Sequence, residues 1–146
     1  MSSDFTIKPV SWSENKQSLS YIRHQVFIDE QDVPEELEWD EFDQISIHLL
    51  ARDSKQAPIG CARLLTNGKI GRMAVLKSWR GKGVGTALLK RAIQLAEQQG
   101  HLAVELDAQS YVIPFYQREG FIVTSTEFTD AGIPHHRMKL TLKTSQ

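Results

Sequence analysis

A chain of 146 residues, 40% apolar and 24% charged with a formal net charge of −1, has the balance of one globular domain over residues 1–146, which excludes a disordered, fibrous or multi-module chain. It opens without a basic, apolar leader and holds no stretch long enough to cross a bilayer, so a cytoplasmic protein with no membrane partner is expected. Cys61 is the only cysteine, which excludes an intrachain disulfide and a Cys-rich zinc centre, and the scattered histidines lack ligand spacing, so no metal is expected.

Thr6 to Val10 reads as an opening strand, with Pro9 marking it as an edge. A helix start follows at Ser13 to Lys16, and Leu19, Ile22, Val26 and Phe27 recur at helical spacing to about Ile28. Asp32-Val33-Pro34-Glu35 breaks that pattern, leaving an irregular acidic segment. Strands are expected at Ile45–Ala51, Ile59–Leu65 and Ile70–Leu76, separated by turn residues, which makes an antiparallel meander. A long amphipathic helix from Gly85 to Gln99 carries Leu88, Leu89, Ala92, Ile93, Leu95 and Ala96 on one face and ends at Gly100. Ala103 to Leu106 is the next strand, and the strand-helix-strand order predicts a right-handed crossover with a parallel central pair. A short helix, Tyr111 to Glu119, and strands at Phe121–Val123 and His136–Leu142 complete an α+β domain, a mixed central sheet of about seven strands with helices on both faces.

Charge is unevenly laid out. Asp29 to Asp43 holds nine carboxylates and no Lys or Arg, whereas Lys69 to Arg91 holds seven Lys or Arg and no acid. Within the basic stretch, Arg80-Gly81-Lys82-Gly83-Val84-Gly85-Thr86 lies directly between a strand and the long helix. Glycines let main-chain amides approach a ligand, and the first amides of a helix have no intrahelical acceptor, so this position suits a phosphate or pyrophosphate. A tight strand-to-helix turn would use the same residues, but the spacing completes neither a Walker loop nor the G-x-G-x-x-G dinucleotide fingerprint.

The R-x-x-G-x-G pattern between a strand and a long helix resembles the acyl-CoA motif of the GNAT N-acetyltransferase superfamily. Phe115-Tyr116 with Gly120-Phe121 resembles that family's F-Y-x-x-x-G-F segment. Ile22-Arg23-His24-Gln25-Val26-Phe27, Glu30-Gln31, Val33-Pro34 and Gly132-Ile133-Pro134-His135 with Met138 are similar to its small ElaA-like or YjcF-like bacterial subgroup.

The resemblance implies acetyl transfer from acetyl-CoA to a primary amine in a ternary complex. It implies that Met73, Ala74 and Val75 pair with pantetheine, with an N–H near Val75 on the thioester carbonyl and a splay between two central strands admitting the thioester. The amides of Gly81, Gly83, Val84 and Gly85, in a loop running to Thr86, would hold the pyrophosphate, Arg80 and Lys82 would close over it, and Gln109 would line pantetheine. Tyr116 corresponds to the family tyrosine near the donor sulfur and would act as acid, or else be a satisfied core residue. For the base, Glu30 comes first, against a solvated acid, and His135 second, against a loop-holding histidine; His48 ranks lower. Arg23 and Arg63 would bind an acceptor carboxylate or pair with the acids, and Cys61 reads as a buried, inert thiol.

The acidic belt favours a cationic amine acceptor. The slightly acidic total argues against a nucleic-acid partner. A homodimer is compatible with the resemblance. The competing function is a non-catalytic acyl-CoA sensor or partner-binding module.

Overall fold

A computed structural model describes residues 4–142. Strand β1 (Phe5–Val10) leads into α1 (Trp12–Arg23), whose first turn is capped by Ser11 accepting from the Glu14 amide. Beyond Arg23 the helix continues as a π-helix, His24–Glu30, so the single helix expected from the sequence changes its winding midway. The apolar stripe survives that change, because Leu19, Ile22 and Val26 are all buried against Leu50, Cys61 and Ala74. The acidic segment forms only α2 (Glu35–Glu38) and a 3-10 turn at Glu41–Gln44.

Next come β2 (Ile47–Asp53), β3 (Pro58–Leu64) and β4 (Ile70–Val75), the expected antiparallel meander, with β1 pairing β2 on its outer side. Pro9 therefore sits on an edge strand, where its missing N–H is tolerated. The long helix α3 (Val84–Gln98) buries Val84, Leu88, Leu89, Ala92 and Ala96. It ends in a Schellman motif: Gly100, at φ 85°, donates to Glu97 O, and His101 N donates to Ala96 O. The chain then runs through β5 (Ala103–Gln109), α4 (Ile113–Gln117), β6 (Ile122–Val123), β7 (Phe128–Asp130) and β8 (Ile133–Thr141).

The sheet differs from expectation in a way that matters for the site. Eight described strands form two four-stranded sheets, β1-β2-β3-β4 and β5-β8-β6 with β7 also on β8. The expected parallel pair, β4 with β5, is reduced to one bridge between Lys69 and Glu105. Beyond that bridge the two strands run without pairing toward Val75 and Gln109, so the sheets splay apart there. The strand β7, absent from the sequence-based reading, pairs with β8 through a tight turn in which Ala131 (φ 52°) and Gly132 (φ 79°) are both left-handed.

One core spans both sheets beneath α3, where Leu49, Leu64, Ile70, Val104, Leu106, Phe121 and Met138 meet the helix stripe. Each such aliphatic or aromatic side chain contributes about 1.5–3 kcal/mol by burial. The opposite face of β2–β4 is covered by α1. Between α1, α2 and β3 lies a buried ionic network. Arg23, 1% exposed, donates to Glu38 Oε2 (2.8 Å), Asp43 Oδ1 (2.7 Å) and the Glu38 carbonyl (2.9 Å), with its guanidinium between the rings of Trp12 and Trp39. Arg63 bonds Asp40 and Asp43, and Arg72 bonds Glu38 and Asp40. Three guanidinium groups thus neutralise three carboxylates that water does not reach freely.

Burial pushes the Asp43 carboxyl up, but the bonds and charges of Arg23 and Arg63 outweigh it and hold Asp43 below its ordinary range. Its folded pKa lies under the unfolded reference of about 3.9, so its stabilisation is complete above that pH and is lost as pH falls through the depressed folded value. Glu38, raised chiefly by burial, works in the opposite sense. Asp43→Asn should cost about 3–5 kcal/mol at pH 7 in urea denaturation, the scale for breaking a buried ionic network from one side. It should also flatten the acid limb of the stability profile.

Candidate functional site

Where β4 ends, a 3-10 turn (Lys77–Trp79) carries the chain to Arg80 and into the glycine loop. Gly81 and Gly83 are left-handed, at φ 77° and 86°, and a β-carbon at either would meet only open space. Gly83 is the N-cap of α3 and offers no side-chain acceptor. The first bond into the helix is Ala87 N to Gly83 O, and no amide from Gly81 through Thr86 has an acceptor among the described residues. A run of main-chain donors without protein acceptors therefore lies at the positive end of a fifteen-residue helix, exposed at Gly81, Lys82 and Gly83, buried at Val84 and half-buried at Gly85 and Thr86. At Gly85, by contrast, a β-carbon would touch Phe115 at 3.6 Å, an ordinary contact.

The same end of the fold carries the open edge of β4. Leu76 N donates to Ile59 O, so by the alternation of an antiparallel ladder the N–H and C=O of Val75 point away from β3 and toward the splay. Ala74 pairs with Cys61 and sits under α1, while Met73 and Val75 pack toward the α3 side. Upstream, the ladder shifts register at Arg72, which adopts φ 48°.

Two residues expected in separate roles are joined. Arg80 donates through Nε to the Val75 carbonyl (2.9 Å) and through both terminal nitrogens to Glu30, at 2.9 and 2.7 Å. Arg80, expected over the glycine loop, is here turned along β4. Lys82 is likewise drawn to the ring of Trp79, 4.9 Å from its centroid. Glu30 has both oxygens engaged, and the Arg80 hydrogen bond and charge hold its carboxyl below the ordinary range, so it is poorly suited to take a proton near neutral pH. The next residue, Gln31, accepts from Gln109 Nε2 at 2.9 Å, at the far side of the splay. Gln31 was legible only as part of the Glu30-Gln31 likeness; no spacing rule marks it as a contact residue.

Gln109 and His135 are partners across β5 and β8, so their side chains share a face, the one turned toward the π-helix. His135, 8% exposed, stacks on Phe128 and lies with Nδ1 2.7 Å from the Ile133 carbonyl. That bond requires the proton on Nδ1 and leaves the Nε2 lone pair for another partner. His48 is committed elsewhere: it is buried, its Nε2 lies 2.8 Å from the Asp43 carbonyl, and burial holds its pKa down.

Tyr116 lies edge-on to Phe115 and Phe121, and burial pushes its phenol up to about 12, with Tyr111 adding to the effect. Arg23 and Arg63 pair with the acids and are not available to an acceptor. The acidic belt is correspondingly depleted, since Glu30, Glu38, Asp40 and Asp43 are bound by arginine and Asp29 faces His24 at 3.3 Å. A separate cleft of about 370 Å³ on the outer side of α1, lined by Ser20, Tyr21, His24, Gln25, Glu35 and Trp39, shares none of the loop or splay residues. Among the described residues no cluster of His, Cys, Asp and Glu could hold a metal, and no helix is long and apolar enough to cross a membrane.

The comparisons with known proteins meet this geometry directly, because the acetyltransferase (GNAT) domain matches residues 12–142. The chain belongs to the GNAT acetyltransferase family. It is 38% identical over 133 residues to the uncharacterized N-acetyltransferase YjcF of Bacillus subtilis, covering 86% of this chain and 94% of YjcF. Among solved structures it resembles an acyl-CoA N-acyltransferase from Pseudomonas aeruginosa, with TM-score 0.81, 31% identity and coverage of 94% and 99% of the two chains. It also resembles Escherichia coli ElaA, with TM-score 0.83, 26% identity and coverage of 92% and 98%. The fold is accordingly the GNAT fold, with the glycine loop at the edge of the splay between β4 and β5.

Cys61 stands outside this chemistry. Its sulfur faces the Arg72 carbonyl at 3.3 Å, and burial pushes its thiol up to about 12. A thiol reagent in excess should therefore label Cys61 at the rate of opening of the fold and no faster, and should label the urea-unfolded chain at once. Rapid labelling of the folded protein at pH 7 would contradict this burial.

Proposed function

We propose that the protein transfers an acetyl group from acetyl-CoA to a primary amine, of a small molecule or an exposed protein chain, in one step within a ternary complex. The observation that carries this reading is the unpartnered run of amides from Gly81 to Thr86 at the start of α3, next to a strand edge whose main-chain N–H faces the splay. Those amides suit a diphosphate. Met73, Ala74 and Val75 then bound the pantetheine arm on one side and Gln109 on the other, and Val75 N–H polarises the thioester carbonyl.

In the transfer, the amine lone pair attacks the carbonyl carbon, the C–N bond forms, the C–S bond breaks, and the thiolate departs. The nitrogen loses a proton, and His135 Nε2 is the acceptor this fold supports best, with Ile133 fixing its tautomer. Glu30, its carboxylate spent on Arg80, is set aside as base. Tyr116 assists the leaving sulfur. Burial holds the Tyr116 phenol up at about 12, which favours a phenol that keeps its proton and donates a hydrogen bond to the departing thiolate. Asp32, Glu35, Glu36 and Glu41, which make no ion pair among the described residues, support a cationic acceptor. Retention of Tyr116 favours catalysis over a donor-binding sensor.

Release of the CoA thiol from acetyl-CoA, measured against a panel of amines with the product identified by mass spectrometry, tests the reading. Gly83→Val, which places a β-branched residue at φ 86° and in the path of the diphosphate, should abolish CoA binding in calorimetry while the fold persists. Tyr116→Phe should leave CoA affinity intact and lower kcat about 10- to 100-fold. His135→Gln should lower kcat by a similar factor with CoA affinity unchanged. Wild-type protein that binds no CoA, or binds it and releases no thiol with any amine, overturns the proposal in its first or second half respectively.

A further inference from the structure

The gap between β4 and β5 is not left open at its wide end. Two consecutive residues at the end of the π-helix reach to its two sides. Glu30 grips Arg80, which is itself fixed to the Val75 carbonyl beside the end of β4, and Gln31 bonds Gln109 at the end of β5. The segment between these anchors is tied down by its own main chain, with Asp32 N bonded to Ile28 O (3.2 Å) and Val33 N to Phe27 O (2.9 Å), and Asp32 in the left-handed region at φ 59°. Both residues stand at the end of the π-helix, Glu30 as its last residue and Gln31 as its C-cap.

From this arrangement we infer that Glu30-Gln31 is a crossbar that sets the width of the opening and so limits the acyl group of the donor to short chains. The inference rests on the proposed reading that an acyl-CoA lies along β4 with its diphosphate on the glycine loop. An acetyl group ends within the splay. Each further methylene must run against the bar or lift it, and lifting it breaks the Gln31–Gln109 bond while the Glu30–Arg80 pair holds the other side. The two anchors differ in kind: Gln31–Gln109 is a neutral, partly buried contact whose loss opens the β5 side, whereas Glu30–Arg80 is an exposed ion pair on the β4 side. Gln31 is therefore the more direct determinant of chain length and Glu30 a positioning residue acting through Arg80.

The test compares acetyl-, butyryl- and hexanoyl-CoA as donors to one fixed amine, with affinity for unacylated CoA measured in parallel by calorimetry. Wild type should prefer acetyl-CoA steeply. Gln31→Ala and Gln31→Asn, neither long enough to reach Gln109, should raise the hexanoyl-to-acetyl ratio of kcat/KM by about tenfold, the scale on which a pocket reads added methylenes, with CoA affinity unchanged. Gln31→Glu keeps the length and an accepting oxygen and should retain the wild-type profile, a rescue that a purely structural role would not give. An unchanged ratio in the two shortened variants, or a wild type that uses hexanoyl-CoA as well as acetyl-CoA, overturns the crossbar and leaves the acyltransferase reading standing. Absence of CoA binding by the wild type sinks that reading, and the crossbar with it.

Discussion

Everything distinctive in this fold follows from two neighbouring strands that are brought together and then allowed to pair only once. Parallel neighbours normally share an evenly spaced ladder; here β4 and β5 meet at Lys69 and Glu105 and then part. An open strand edge exposes main-chain donors and acceptors that must find partners or stay wet. The chain supplies a partner for the Val75 carbonyl, Arg80, and directs the Val75 N–H into the splay. A core that continues unbroken beneath α3, from Leu49 in one sheet to Met138 in the other, keeps the sheets from separating altogether. The opening is thus a local loss of pairing held between a bridge at one end and packed side chains below.

The buried ionic network does the corresponding work on the other face. Arg23, Arg63 and Arg72 with Glu38, Asp40 and Asp43 bind the acidic segment to α1 and to β3 and β4. Such networks gain little over apolar packing and cost much when broken from one side, so they act more as a fixed register than as a store of stability. The register in question includes Arg72, left-handed at the irregularity just before Met73, Ala74 and Val75, and the Glu38 carbonyl that holds its guanidinium. The position of the β4 edge is therefore coupled through Glu38 to the segment that follows the π-helix.

Local signals carried most of the fold. The stripe of Leu88, Leu89, Ala92 and Ala96 and the glycine at 100 placed α3 to within a residue at each end, because periodicity and capping are properties of the helix itself. The meander from β2 to β4 was equally plain from its turns. What the sequence could not reveal depends on relations between distant segments. Two sheets in place of one follow from the parting of β4 and β5, and no residue in either strand announces it. The strand β7 was hidden because it is only three residues long, Phe128–Asp130, and its turn places Ala131, a residue that does not signal a left-handed turn, beside Gly132. The π winding from His24 keeps the same buried stripe an α-helix would, so periodicity could not separate the two.

Glu30 shows the same limit at the level of one side chain. Its place just after the first helix marked it as a carboxylate near the acceptor, and the sequence gives the carboxylate no other reason to be there. The cation that claims it, Arg80, stands fifty residues away and had a plausible task of its own on the glycine loop. In that bidentate pair the arginine braces β4 and the glutamate anchors it, and in the proposed reaction the role of base falls to the histidine whose Nδ1 is fixed by Ile133. A charge read in isolation suggests proton chemistry, whereas a charge with its partner in view suggests geometry, and at this site it is geometry that Glu30 and Gln31 supply.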